Sequence, residues 1–358
     1  MTATRADQGA VERLVATDAI RELLVRRGRA ADGKSPDTIV AQHVPGSRDT
    51  HGIFEGTIEE FAEFLRTHNY QDRRYGIQRH TIGNLLLNWR SEVLVEIESY
   101  HLAYHRLVID GVAHDVHIGG RYLDVCTRSD AGWQILSRAV VYDWSRSSPA
   151  TRPELPDTAP GQMPLGETVN DLCPNAPQAG PPGVAELLAK QQITELLYLR
   201  ARAGDRRDVE LALSCYHPGA TEKHEGFDGV AADFINNISM IAPASTAPVT
   251  GLWHFISNIV INLRGDRADV ESYHLAVVSR NEDGHETQSH IGGRYLDTFA
   301  YRDGRWAIEH REVVFDWSRV DTDSAAYWDL MGLDKSKLLR GEFGAADPLY
   351  TVLRIERG

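Results

Sequence analysis

Side chains that could perform acid–base chemistry occur twice along this 358-residue chain, at nearly constant spacing. Each second copy lies 173 or 174 residues after the first. An aspartate that accepts a hydrogen bond from one imidazole nitrogen orients the ring, and the other nitrogen can then take and return a proton near neutral pH. The pattern therefore predicts a histidine–aspartate pair in each half of the chain. The recurring residues are Asp32 and Asp205, His80 and His254, and His101 and His274.

Metal binding is the competing use of these residue types. Their spacings match neither His-Glu-x-x-His nor another compact ligand set, so we expect no metal. The sequence also lacks a G-x-S-x-G motif, a phosphate-binding loop and a G-x-G-x-x-G motif that opens a helix. Acid–base chemistry without a cofactor is the expectation that remains.

The elements that must position these residues are themselves repeated. HIGGRYLD occupies 117–124 and again 290–297, and ESYHLA occupies 98–103 and again 271–276. Long internal repeats indicate duplicated structural units. We therefore predict two units. One segment of different composition lies between the units and another follows the second unit. The predicted divisions are repeat 1 at 15–146, a linker at 147–187 that holds nine of the fifteen prolines, repeat 2 at 188–320, and a tail at 321–358 that packs on a repeat.

Each predicted unit has helices first and strands after them. An amphipathic helix, with Asp18 as the expected N-cap in the first copy, precedes a shorter helix. We expect the shorter helix at about 57–68, capped by Thr57, and at about 229–240 in the second copy. Four long stretches with a period of two then follow, separated by Gly and Asp turns. The order indicates an α+β unit with a meander of antiparallel strands. In the first copy the strands are expected at 79–89, 93–109, 114–128 and 133–144.

Composition limits the kinds of partner. A net charge of −13 argues against binding to nucleic acid or to an anionic membrane surface. Three scattered cysteines fit neither a disulfide framework nor a zinc site, and the first residues lack the apolar run of a signal peptide. We therefore expect a cytoplasmic protein that binds neither nucleic acid nor a membrane.

At these residues the chain resembles the SnoaL-like branch of the nuclear transport factor 2 (NTF2)-like superfamily. The shared pattern is a helix ending in Asp, a strand beginning HTIG or WHFIS, then ESYHLA, GGRYLD and a final strand ending in DW. Within the superfamily it looks most like scytalone dehydratase and the bile-acid 7α-dehydratases. The resemblance implies two cone-shaped units, each a curved antiparallel sheet with helices closing a deep apolar pocket. It also implies that the units associate internally as a pseudo-dimer, with a homo-oligomer as a further option.

The resemblance implies a role for each recurring side chain. His80 and His254 correspond to the family's base, oriented by Asp32 and Asp205, while His101 and His274 fall near the residue that protonates the leaving group. His105 is a rival for that place in the first copy. The dehydratases have a tyrosine on the first helix where this chain has arginine, and an arginine there can stabilise an enolate. The implied substrate-binding residues are Arg27 and Arg200, Arg138 and Arg311, His105, and Tyr198.

Two classes of function follow. The first is a cofactor-independent lyase, a dehydratase acting on a hydrophobic, cyclic small molecule. Isomerase, polyketide-type cyclase and epoxide hydrolase chemistry need the same kind of pocket and stay open. The second class is a small-molecule binding module without catalysis, since the superfamily also contains ligand carriers.

Overall fold

The computed structural model describes residues 5–69, 75–130, 132–149, 183–224, 227–237, 248–282, 285–321 and 326–353. Most of the predicted linker, 150–182, therefore lies outside the described residues. The elements of the first unit are α1 (Arg5–Asp32), α2 (Pro36–Ala41), β1 (His43–His51), β2 (Phe54–Thr57), α3 (Ile58–Phe64), β3 (Tyr75–Trp89), β4 (Leu94–Ile109), β5 (Val112–Ser129) and β6 (Gly132–Pro149).

The second unit repeats this order, and short elements follow it. Its elements are α4 (Val184–Arg206), α5 (Val209–Ser214), β7 (Tyr216–His224), β8 (Phe227–Val230), α6 (Ala231–Asn236), β9 (Val249–Arg264), β10 (Arg267–Glu282), β11 (His285–Arg302) and β12 (Arg305–Asp321). The tail forms α7 (Tyr327–Leu330), β13 (Leu339–Arg340) and α8 (Pro348–Val352). The predicted α+β class and the two units with the same order of elements are confirmed.

Each unit contains one sheet, and the two sheets share a strand order. The first runs β2-β1-β6-β5-β4-β3 and the second β8-β7-β12-β11-β10-β9. Neighbouring strands are antiparallel except β1 with β6, β7 with β12, and β13, which adds to β6. The predicted antiparallel meander of four strands is present in each unit, but it is not the whole sheet. β1 and β7 lie parallel to the last long strand and make each sheet mixed.

The helix boundaries correct one prediction and confirm another. Helix α1 begins at Arg5, so Asp18 lies inside the helix, exposed and near Arg21, rather than at its N-cap. Thr57 does cap α3. Its hydroxyl accepts from the backbone N–H of Glu60, and the Glu60 carboxylate accepts from the backbone N–H of Thr57. This reciprocal pair satisfies two donors that the helix start would otherwise leave open. No helix in the described ranges is long and apolar enough to cross a membrane.

The two units pack on each other through the first sheet and the start of β9. A buried cluster joins Tyr100 and Trp144 of the first unit to Trp253 and Phe255 of the second. Asn84 on β3 extends the contact, since its amide nitrogen donates to the carbonyl oxygen of His254 (2.9 Å) and its amide oxygen accepts from the N–H of Ile256 (2.7 Å). The tandem units thus form an internal pseudo-dimer.

The C-terminal tail packs on the first unit. Trp328 and Leu338 join the buried cluster on the inner side of the sheet, and Leu349 and Leu353 pack with Leu123 on the outer side. Between them β13 pairs with β6. Because the tail crosses from the second unit to the first, it ties the two units together.

The arginine of the first HIGGRYLD copy anchors this tail. Arg121 is fully buried and donates from both terminal nitrogens to the Asp347 carboxylate, each at 2.8 Å. Glu98 and Asp143 also accept hydrogen bonds from it, and Arg206 from α4 lies 3.1 Å from Asp347. A single buried ion network therefore connects the first sheet, the second unit and the tail.

Candidate active site

The first unit brings the predicted pair together. Asp32 is the last residue of α1 and His80 lies near the start of β3, and the His80 Nδ1 is 2.7 Å from Asp32 Oδ1. The other carboxylate oxygen accepts from the His80 backbone N–H at 3.3 Å. An aspartate facing Nδ1 favours the tautomer that carries its proton there, which leaves Nε2 with a lone pair. The pair has the geometry of an oriented base.

His80 forms part of the wall of a cavity of about 500 Å³ in the first unit. Aliphatic and aromatic side chains make up most of the wall, including Phe61 and Phe64 from α3 and Tyr122 and Tyr142 from the sheet. The tail adds two more side chains, Met331 and Leu333. A base at the wall of a mostly apolar enclosure suits a hydrophobic small molecule.

Two further histidines, His101 and His105 on β4, line the same cavity. The His105 ring meets the His80 ring edge-on with centroids 5.5 Å apart, and His101 stacks on Tyr122 at 4.2 Å. Burial lowers the pKa of His105 to about 3, with a smaller contribution from His80. Burial, then His80 and His51, hold the pKa of His101 well below its usual range. Both rings are therefore neutral at pH 7.

The second glycine of HIGGRYLD, Gly120, leaves room for the carbonyl oxygen of Val141 and for the His101 ring. Gly120 lies opposite His101 in the β4–β5 ladder, and a Cβ at Gly120 would come within 2.8 Å of the His101 Cε1. The second unit repeats the arrangement, with Gly293 opposite His274 and a Cβ–Cε1 distance of 2.9 Å. These glycines thus serve the site indirectly, by allowing a buried imidazole in the neighbouring strand.

Arg27 also lines the first cavity and lies in α1, five residues before Asp32. Its Nε donates to the His43 Nε2 at 3.3 Å, and its terminal nitrogen lies 4.0 Å from Asp49. Burial raises the pKa of Asp49 to about 6, while burial and Arg27 lower that of His43 to about 2. Arg27 is therefore a buried cation beside the neutral His43 and the weakly acidic Asp49.

Three residues at this site, His43, Asp49 and His51, were not predicted from the sequence. Asp49 is fully buried beside Arg27, and His51 lines the cavity and lies 3.8 Å from Asp49. One signal was available for Asp49, because the equivalent residue in the second unit, Glu222, is also acidic and also faces an arginine. The sequence from 43 to 51 has no alternation of apolar and polar residues, so it did not predict the strand that carries these three side chains.

The second unit contains the same pair with different surroundings. The His254 Nδ1 lies 2.5 Å from Asp205 Oδ1, and the His254 backbone N–H donates to Oδ2. The phenol of Tyr100, from the first unit, also donates to Oδ2 at 2.8 Å. Among the described residues Asp32 has no such cross-unit donor. The second aspartate is therefore the more heavily hydrogen-bonded of the two.

The predicted substrate-binding arginines lie in buried pairs. Arg138 and Arg311 each donate twice to an aspartate, Asp124 and Asp297, at 2.7 and 2.8 Å, and each stacks on a tyrosine. Arg200 donates to Tyr216 and lies 3.8 Å from Glu222. Neither Arg138 nor Asp124 lines the first cavity. Their roles in substrate binding stay predictions.

Two other predicted residues lie in distinct settings. Tyr198 packs against the core of the first unit, beside Leu85, and lines a groove between α1 and α4 rather than the surroundings of His254. His274 is buried and stacks on Tyr295 at 4.2 Å, as His101 does on Tyr122. Across the described ranges, no group of three or more His, Cys, Asp or Glu side chains is placed to hold a metal ion.

Comparison with solved structures gives matches to one unit at a time. A candidate scytalone dehydratase from Novosphingobium aromaticivorans is 20% identical, covering 40% of this chain and 98% of its own, with a TM-score of 0.33. The hexachlorocyclohexane dehydrochlorinase LinA-type3 from Novosphingobium barchaimii is 19% identical, covering 40% and 97%, with a TM-score of 0.35. No curated protein matches the chain at a significant level.

A family model described as the SnoaL-like domain matches twice, over residues 12–139 and 185–312. The two matches begin 173 residues apart, which is the spacing of the HIGGRYLD copies. Together they cover well over half of the chain, and each contains one complete histidine–aspartate pair. The chain therefore belongs to the SnoaL-like domain family, with two tandem copies of the domain.

Proposed function

We propose that this protein is a cofactor-independent lyase, a dehydratase that acts on a hydrophobic, cyclic small molecule in the cavity of the first unit. The observation that carries the proposal is the His80–Asp32 pair at the wall of a mostly apolar cavity of about 500 Å³. That volume lies in the range of small-molecule sites. The base is oriented before a ligand arrives, which is what proton abstraction requires.

The proposed reaction begins with proton transfer from carbon to nitrogen. The His80 Nε2 takes a proton from a carbon next to a carbonyl, and the electron pair of that C–H bond becomes the new carbon–carbon double bond. The neighbouring C–O bond breaks, and the departing hydroxyl receives the proton from the His80 imidazolium and leaves as water. Asp32 stabilises the imidazolium in the interval through its bond to Nδ1.

The neutral state of His101 shapes the rest of the proposal. Because the lowered pKa of His101 makes its imidazolium costly, return of the proton is assigned to His80 itself. His101 and His105 then act as neutral hydrogen-bonding groups that hold the leaving hydroxyl. Arg27 supports negative charge that develops on the carbonyl oxygen, since a preorganised cation stabilises an oxyanion strongly.

The second unit is proposed to contribute less to turnover. Its pair lacks a counterpart of His105, whose position is taken by Val278. The Tyr100 phenol shares the Asp205 carboxylate with His254 and so reduces the negative charge available to stabilise an imidazolium. For both reasons His80 is proposed to be a better base than His254.

The test is incubation of the protein with a small-molecule extract, followed by mass spectrometry. A dehydratase converts a compound to a product lighter by one water, and the H80Q variant loses this conversion. A product of unchanged mass and altered retention would replace elimination with isomerisation or cyclisation, and gain of water would indicate epoxide hydrolysis. A ligand retained without any change would contradict catalysis and support a binding module.

A further inference from the structure

Asp49 on β1 is a fully buried carboxylate that accepts no hydrogen bond from the described residues. Its Oδ1 lies 3.8 Å from the Nδ1 of His51, and its Oδ2 lies 4.0 Å from the Nη2 of Arg27. Both distances are longer than a hydrogen bond, so the contacts are electrostatic only. Nearly all buried polar groups in folded proteins have a hydrogen-bond partner, and this exception therefore calls for an explanation.

The equivalent acid of the second unit does have a donor. Glu222 accepts a hydrogen bond from the phenol of Tyr216 at 2.7 Å. The first unit has His43 in place of Tyr216 and the shorter Asp49 in place of Glu222. The His43 Nε2 accepts from Arg27, and among the described residues no donor replaces the phenol at Asp49. The two sequence differences together leave this carboxylate unbonded in the first unit.

Asp49 lies behind the wall of the first cavity. Arg27 and His51 both line the cavity, and each has Asp49 as a neighbour. The His51 ring stacks on Phe61 with centroids 5.0 Å apart, which fixes the plane of the ring. The charge of Asp49 therefore acts on a ligand through Arg27 and His51, and Asp49 is a positioning residue.

The charge of Asp49 depends on pH in a useful range. The charged groups that face it come from three elements and are Arg27 of α1, Asp124 of β5 and Arg138 of β6. Burial raises the pKa of Asp49 to about 6, with the two arginines opposing the rise and Asp124 adding to it. His43 and His51 stay neutral beside it, because burial lowers the pKa of both.

We propose that Asp49 controls an oxyanion subsite in the first cavity, which binds a small aromatic or enolic anion through Arg27 and His51 once Asp49 has taken up a proton. The inference rests on the proposed function in one respect, since that function places the substrate oxygen at Arg27. A protonated Asp49 no longer compensates the Arg27 charge, which then acts on the ligand oxygen. The proton comes from solvent, and only the O–H bond of Asp49 is formed.

Protonation of Asp49 also sets the tautomer of His51. A shift of about 1 Å brings the Asp49 O–H within hydrogen-bond distance of the His51 Nδ1, which accepts it. The proton of the neutral ring then resides on Nε2, the nitrogen turned away from Asp49. In this state His51 is a donor to an anion in the cavity.

The ionised form of Asp49 opposes binding by repulsion. A ligand oxygen held ~2.8 Å from Arg27 lies at most ~7 Å from Asp49. Two like charges at that distance weaken an affinity ~50-fold at an effective dielectric constant of ~20. We expect a change of ~10–50-fold, because Arg27 lies between the two charges and offsets part of the repulsion.

The test is calorimetric titration of the full chain with dinitrophenolate, an aromatic oxyanion, at about one pH unit below and about two above the pKa of Asp49. Wild type is expected to bind the probe ~10–50-fold more tightly at the lower pH. D49N is uncharged at both pH values and is expected to bind tightly at both. E222Q is the matched control in the second unit and should behave as wild type.

Proton uptake and location of the probe give two further readouts. In buffers of different ionisation enthalpy at neutral pH, wild type should take up most of one proton per bound probe, and D49N none. R27Q should lose the binding at both pH values, which places the probe at Arg27. H80Q should keep the wild-type pH dependence, because His80 is not the group that titrates.

Four results would overturn the proposal: no binding by wild type at either pH, equal affinity at both, a D49N variant that keeps the wild-type pH dependence, or loss of that dependence in H80Q. The wild-type measurements alone decide the matter if D49N does not fold, which circular dichroism shows. The probe is not turned over, so failure of the water-loss assay leaves these results unchanged. Loss of the subsite and loss of the proposed function are therefore distinguishable.

Discussion

The buried network around Asp347 allows a quantitative prediction for D347N. The Asp347 carboxylate accepts two hydrogen bonds from Arg121 and lies 3.1 Å from Arg206, and all three side chains are buried. Burial raises the pKa of Asp347, but Arg121 and Arg206 outweigh burial and lower the pKa from 3.8 to about 2, which corresponds to about 2–3 kcal/mol of stability at neutral pH. Breaking a buried ion pair costs ~3–5 kcal/mol, but Glu98 and Asp143 still compensate Arg121. We expect D347N to lose about 3 kcal/mol.

Urea unfolding followed by tryptophan fluorescence measures this loss. The control is D329N, because Asp329 lies in the same tail but pairs with Lys335 at the surface, where such pairs contribute ~0–1 kcal/mol. The pH dependence adds a second readout. Since the folded pKa of Asp347 is depressed, its contribution is complete above pH 3.8 and is lost as the pH falls toward about 2, so D347N flattens the stability profile in that window. Equal stability of D347N and D329N would show that the buried Asp347 contacts contribute no more than a surface ion pair.

The remaining predictions concern other contacts. D32N keeps the shape of the dyad but removes the charge that stabilises the His80 imidazolium, so turnover of a substrate should fall by ~10²–10⁴ with unchanged folding. Turnover equal to wild type would exclude a catalytic role for the His80–Asp32 pair. N84A leaves the backbone groups of His254 and Ile256 without their cross-unit partner and should lose ~1–3 kcal/mol of unfolding free energy in a urea titration. Because the pKa of His105 is lowered to about 3 in the folded chain, the free energy of unfolding falls as the pH drops from 6.5 toward 3. H105Q should reduce that loss by at most about 5 kcal/mol, measured by thermal unfolding across this pH range.

The dyads could be predicted from the sequence because the repeat identifies both partners, the aspartate at the end of a helix and the histidine near the start of a long strand. Asp32 is unfavourable at a helix C-terminus and recurs there as Asp205, which marks it as a residue kept for another purpose. The short strand β1 was missed because its sequence, with Pro45 and Gly46, carries no alternating pattern. The spacing of β1 from β6 also gave no indication of a parallel pair.

Short-range sequence patterns gave no indication of the contacts between the two units. The partner of Arg121 is Asp347, 226 residues away, and the partner of Asp205 is Tyr100, 105 residues away. Both copies of HIGGRYLD and ESYHLA are identical, so the sequence implied two equivalent units, whereas the tail and α4 cover only the first outer sheet face. Identical residues differ here in burial and partners because tertiary packing, not local sequence, decides what covers them.

His80 is proposed as the base of a dehydratase in the first unit. Its role is tested by the rate at which a water-loss product forms from the same substrate with wild type, H80Q and H254Q. We expect H80Q to lower this rate by ~10² or more and H254Q to leave most of it. Full activity of H80Q, with wild-type folding, would exclude His80 as the base.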